Sequence, residues 1–294
     1  MTTALAEHAA PHIDGAIALC PSIGGAVGMM NMALDGAFAF RTLAASEAGL
    51  QLTGITDDMA NGARAGQAVT AAMATPQGRA RVALAGVLGG LPGWTRRDHP
   101  QPASDDDAAQ ADEIGAALAG GLFLPRADQE ARAGGVFSWN TGVDYGAQLR
   151  LSGRRAFVER MYRRAGLDLD ADLARLKAAP RIAANPAAVA YMMAHYTPDA
   201  RPLVPLLSMQ AVGDGATSPS LQRAYVEAAD PARVRGAWIK AAGHCGFSAE
   251  AMVMALHHLE QRLDARRWGL PPPGTIAYTP PPMLRPCLRW RACR

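Results

Sequence analysis

Two short turns in the chain carry residues that can do chemistry together. Gly213-Asp214-Gly215 and Gly243-His244-Cys245-Gly246 each follow an apolar run. A carboxylate bonded to one ring nitrogen of an imidazole holds the ring's tautomer. It also stabilises the imidazolium that forms when the other nitrogen takes a proton. Glycines on both sides of His244 permit the tight turn that exposes the ring. Taken singly, each signal is weak, because Gly-Asp-Gly is often no more than a turn. Their weight comes from occurring together, thirty residues apart, at the ends of consecutive apolar runs. The other histidines have plainer readings. His257 and His258 fall mid-helix, and His12 and His195 read as surface or satisfied core groups.

Such a pair needs a nucleophile. A serine on a sharp strand-to-helix turn is written Gly-x-Ser-x-Gly, and no such pattern occurs. Its nearest approach is Cys20-Pro21-Ser22-Ile23-Gly24-Gly25, with Cys20 in the first glycine's place. Ser22 is therefore the candidate nucleophile within the chain.

The elements that must position these residues alternate between strand and helix. Residues 1–10 read as a short helix or the end of one. Ile13 to Cys20 is an apolar run after Pro11, fit for a buried parallel strand. From about Gly28 to Ala200 the pattern is helical and alanine-rich, with helices expected over 63–73, 79–88, 108–122, 154–165, 167–177 and 185–195 and a polar loop over 94–107. Met29, Met30 and Met32 read as core filling. Leu203 to Val212 is a second buried strand, Ser220 to Ala229 a helix, and Gly236 to Ala241 a third strand. Ser248 then caps a helix whose expected buried face is Met252, Ala255, Leu256, Leu259 and Leu263. Strands that alternate with helices imply a parallel sheet. Beyond Trp268 the chain is Pro-rich and reads as irregular.

The two turns, in this order and spacing, resemble the last two motifs of the α/β-hydrolase superfamily. The likeness is nearest to bacterial esterase-like and peptidase-like members with a Gly-His-Cys turn. It covers residues 1–268 and implies an α/β fold. Residues 1–25 and 201–268 would form the C-terminal part of a parallel-sheet core, 26–200 a large helical cap, and 269–294 a tail. In that family the chain order is nucleophile, acid, base, and Asp214 and His244 match the last two. The resemblance also implies that Met1 to His8 is the helix behind the nucleophile turn, already past its serine. On that alignment the nucleophile, the oxyanion loop and about five strands are absent, and Ser22 is a turn residue at the pocket mouth. The competing reading keeps Ser22 as nucleophile in a reduced fold. The implied activity is Ser-His-Asp acyl transfer on carboxylic esters or related acyl compounds. A peptidase of the same fold is the nearest alternative. A non-catalytic truncated binding module and a haloperoxidase-like or lyase member are the others.

Composition narrows the partners. The chain has 294 residues and a net charge of +3, with several arginines in the tail, namely Arg285, Arg289, Arg291 and Arg294. No basic stripe with interleaved aromatics points to nucleic acid. No apolar run reaches the roughly 20 residues that span a membrane, and the first twenty residues lack a signal-peptide pattern. The expected partner is a small acyl compound, with no cofactor or metal, in a cytoplasmic protein as written. Four cysteines form no zinc pattern. Cys20 and Cys245 are either buried thiols, the favoured reading, or a disulfide. Trp139-Asn140-Thr141-Gly142 and Tyr145 either pack structurally, the favoured reading, or line the cap side of a pocket.

Overall fold

The computed structural model describes residues 1–8, 12–289 and 293. The expected end of the first helix at residues 9–10, and the arginines at 291 and 294, lie outside them. Three parallel strands form the sheet in the order β1 (Ala16–Leu19), β2 (Leu206–Gly213), β3 (Val234–Ala242). Ala16 pairs with Leu206, and Leu206 with Val234. β2 is central and buried along its whole length, which is why its sequence is a nearly continuous apolar run. Its two polar residues are bonded inside, although Gln210 Oε1 has no partner among the described residues. Ser208 Oγ donates to Gln222 Oε1 at 2.6 Å, and Gln210 donates to Asp214 and Thr217.

Helices cover both faces. α11 (Pro219–Ala228) packs on the face of Ala18 and Leu206 through Tyr225. α1 (Thr2–His8) joins it there, with Tyr225 donating its hydroxyl hydrogen to Glu7 at 2.9 Å. α12 (Ala249–Ala265) covers the opposite face against Leu207, Met209 and Ala237. Ser248 accepts from the Ala251 N–H and caps α12 as expected. The buried residues of α12 are Ala251, Ala255, His258 and Leu259. Met252 and Leu256, expected inside, are 43% and 48% exposed. A sheet of three strands is too narrow to cover the helix's full apolar stripe.

Between β1 and β2 every regular element is a helix: α2 (Ala26–Ala44), α3 (Asp58–Met73), α4 (Pro76–Leu88), α5 (Asp107–Leu122), α6 (Ala127–Ala133), α7 (Tyr145–Leu151), α8 (Arg155–Arg164), α9 (Leu169–Ala178) and α10 (Pro186–Tyr196). Leu34, Phe38, Leu84, Leu88, Ile114 and Leu118 form its core. Small residues let these helices approach closely. A Cβ on Gly36 would lie 2.7 Å from the Ala85 carbonyl, and one on Gly86 would lie 2.2 Å from Ile114. Side-chain caps start most of them, including Asp57, Thr75 ahead of Pro76, Asp106, Asp168 and Asn185 ahead of Pro186.

The tail is irregular, as expected, yet it is docked. The Ile276 N–H bonds to the Trp238 carbonyl at 2.9 Å on the outer edge of β3. Met283, Leu284, Arg285, Cys287 and Leu288 are buried. Arg285 reaches Asp35 of α2 at 2.9 Å and the Trp139 carbonyl at 3.2 Å. Burial raises the Asp35 carboxyl to about 6 even against the pull of Arg285. Arg285, read as part of a charged tail, is thus a buried strap. The cysteines also differ from the favoured reading. Cys20 is bridged to Cys245, and Cys287 to Cys293.

Candidate functional site

Asp214 and His244 sit at the carboxyl ends of β2 and β3, where an open parallel sheet gathers functional groups. The Gly243 N–H donates to the Gly213 carbonyl at 3.0 Å and ties the two turns together. His244 Nδ1 lies 2.9 Å from Asp214 Oδ2. Asp214 is fully buried while the His244 side chain is 46% exposed, so one ring nitrogen is anchored inside and the ring stays accessible.

The carboxylate is held from every side. Its Oδ1 accepts from the Ala216 and Thr217 N–H groups, both at 2.9 Å. Its Oδ2 accepts from Gln210 Nε2 and Thr217 Oγ1, also at 2.9 Å, besides facing the imidazole. These donors satisfy a buried charge and fix the plane of the carboxylate. Thr217 Oγ1 also stands 3.3 Å from the Cys20 carbonyl and 3.3 Å from His244 Nδ1. Thr217 and Gln210 were missed from the sequence. Thr217 had a signal, since a residue three after an Asp often closes an Asx turn.

The helical insertion reaches over the site. Arg97 Nη2 donates to the His244 carbonyl. A Cβ on Gly243 would lie 2.7 Å from Arg97 Cγ, and its φ of +80° suits glycine. Glu113 of α5 anchors the approach. It accepts from the Thr95 and Arg96 N–H groups and from the Arg96 guanidinium. Burial opposes ionisation of Glu113, but these bonds hold its carboxyl below its ordinary value. The resulting cleft, about 230 Å³, is bounded by His244, Thr95, Arg96, Ala117, Gly121 and Ala216. Small side chains make its walls.

The disulfide lies directly beside the imidazole. Cys245 Sγ is 3.7 Å from His244 Nε2. Both bridged cysteines have positive φ, 44° at Cys20 and 54° at Cys245, a costly conformation for a side-chain-bearing residue. The bridge joins the end of β1 to the His turn.

Ser22 is exposed in the turn after β1. No hydrogen bond joins it to His244 among the described residues, and its backbone is not among the positive-φ positions. Trp139, Asn140 and Tyr145 do not border the His244 cleft. Asn140 is buried and bonds Tyr145 and the Ile182 N–H, while Gly142 and Tyr145 line a separate cleft. His257 is exposed and pairs with Glu260 at 2.8 Å. His258 is buried against Trp268, and burial lowers its pKa. His12 and His195 are exposed.

No protein-family profile matches the chain, and no solved structure matches it significantly. Among curated proteins, the chain is similar to an o-phthalyl amidase of Xanthobacter agilis. The two are 32% identical over an alignment of 304 positions, gaps included, which covers 91% of this chain and 66%, just under two thirds, of that relative.

Proposed function

We propose that this chain carries the acid and base of a hydrolase that opens amide or related acyl bonds. The observation that carries the reading is the bond of 2.9 Å between His244 Nδ1 and a fully buried, fully hydrogen-bonded Asp214. The similarity to a protein named o-phthalyl amidase supports amides of aromatic acids ahead of the carboxylic esters expected from sequence. In this reading a serine attacks the acyl carbon. The free nitrogen of His244 takes the serine proton and returns it to the leaving amine, while Asp214 stabilises the imidazolium. The helical insertion acts as the cap, with Thr95, Arg96 and α5 walling the cleft. A small acyl compound is the partner.

The nucleophile is assigned to a serine brought to the free edge of β1, ahead of Ser22. Ser22 makes no hydrogen bond to His244, and no strand pairs with that edge of β1, among the described residues. Fluorophosphonate labelling with intact-mass analysis separates the two. A Ser22 adduct lost in Ser22→Ala would move the nucleophile to Ser22. The dyad itself is tested by the low-field proton NMR signal of an Asp-bonded imidazole N–H. It should be present in the wild type and absent in Asp214→Asn. Hydrolysis of aryl amides that survives His244→Ala would sink the hydrolase reading for this site.

A further inference from the structure

A second pocket shares no lining residue with the His244 cleft. It encloses about 290 Å³, just below the roughly 300–1,000 Å³ range of small-molecule sites. Its walls are largely apolar and include Leu91, Trp94, Val212, Tyr278 and Leu284. The tail therefore builds one side of it. Only one charged residue lines it among the described residues, and that is Arg154.

Arg154 is rigidly placed. It donates to the Leu91 carbonyl at 3.1 Å and to Gln110 Oε1 at 2.9 Å, and its guanidinium lies 4.5 Å from the Phe157 ring centroid. Those bonds use two of the five N–H groups of the fork. No carboxylate lies within ion-pair distance of Arg154 among the described residues. Three arginines of α8 have carboxylate partners: Arg155 with Glu159, and Arg160 and Arg164 with Asp107. Arg154 alone faces an apolar cavity, and burial lowers its pKa to about 10. The Asp107 carboxylate acts on this cation only beyond ion-pair distance and is already held by Arg160 and Arg164, so Arg154 lacks full hydration and a counter-ion of its own, a state that a bound anion relieves.

We infer that this pocket binds a small apolar carboxylate, with the carboxylate received by the Arg154 fork and the aromatic or branched body held by the walls. Guanidinium geometry matches a planar carboxylate with two parallel hydrogen bonds. The apolar lining and the lack of a second cation disfavour phosphate and sulfate. This site is separate from the proposed acyl-transfer site and stands without it.

The test is calorimetric titration of the full chain with benzoate, with benzamide as the uncharged shape match. Benzoate should bind at least about tenfold more tightly than benzamide. Arg154→Gln should erase that preference. Ser104→Trp, at an exposed pocket residue that leaves Arg154 intact, should block binding sterically, and it decides the matter if Arg154→Gln does not fold. His244→Ala should leave benzoate binding unchanged. The inference is overturned by no benzoate heat up to about 10 mM, by equal binding of benzamide, or by benzoate binding that persists in Ser104→Trp.

Discussion

At the scale of single residues, Asp214 is the most constrained group near the site. Asp214→Asn would turn an amide N–H₂ toward the Ala216 and Thr217 N–H groups or toward Gln210, all of them donors. The expected cost is about 1–3 kcal/mol in urea unfolding. Thr217→Val keeps the shape but removes the hydroxyl donor, and should cost about 1 kcal/mol. A cost near zero for both would mean that the carboxylate's bonds are not formed in solution. Asp214 and His244 were legible in the sequence because glycine-flanked turns mark strand ends. Arg97 was not, because its partner His244 lies 147 residues further along the chain and a lone arginine in a loop carries no signal of its own. Ser22 was legible as a candidate only because its neighbours imitate an elbow; its conformation does not.

At the scale of elements, the long helices could be read because small residues and caps mark them. α6 and α7, of seven residues each, span too few turns to show a period. The docking of the tail was not legible either, since its contacts, among them the buried pair of Asp35 with Arg285, join residues far apart in sequence. That pair has a pH signature. The Asp35 carboxyl is raised in the folded state from 3.8 to about 6. Its contribution to stability is therefore full below about pH 4 and is lost as pH rises through 6. Unfolding free energy measured between these limits should contain a component that falls with rising pH, and Asp35→Asn should remove it. An unchanged slope in that variant would place Asp35 elsewhere in its titration. The bridge between β1 and the His turn is also an element-scale device. Replacing Cys20 and Cys245 by serine should lower stability by about 2–5 kcal/mol, read as a lower urea midpoint. No change would mean that the turns hold each other without it.

At the scale of the whole molecule, two features concern what surrounds it. β1 leaves one edge unpaired among the described residues, and Met252, Val253 and Leu256 form an exposed apolar stripe on α12. Unpaired edges and exposed apolar stripes recruit partners. Sedimentation velocity should show concentration-dependent association, weakened by Leu256→Glu and by a lysine at Leu19, which is 37% exposed on β1. A strictly monomeric chain at every concentration would refute this. The two disulfides bear on compartment. Thiol titration of the denatured protein should find no free cysteine. Bridges of this kind persist in oxidising surroundings. No described helix is long and apolar enough to cross a membrane.

The Cys20–Cys245 bridge closes a covalent ring across 225 positions of sequence, and all of α2 to α10 lies inside it. Pulled from its two ends, the oxidised chain would carry tension along the bridge and leave the ring slack. At about 3.4 Å of extended length per residue, roughly 750 Å of contour would stay hidden until a reductant cut the ring. The helices over the His244 cleft would feel no load while α1, β1 and α12, which lie outside the ring, gave way.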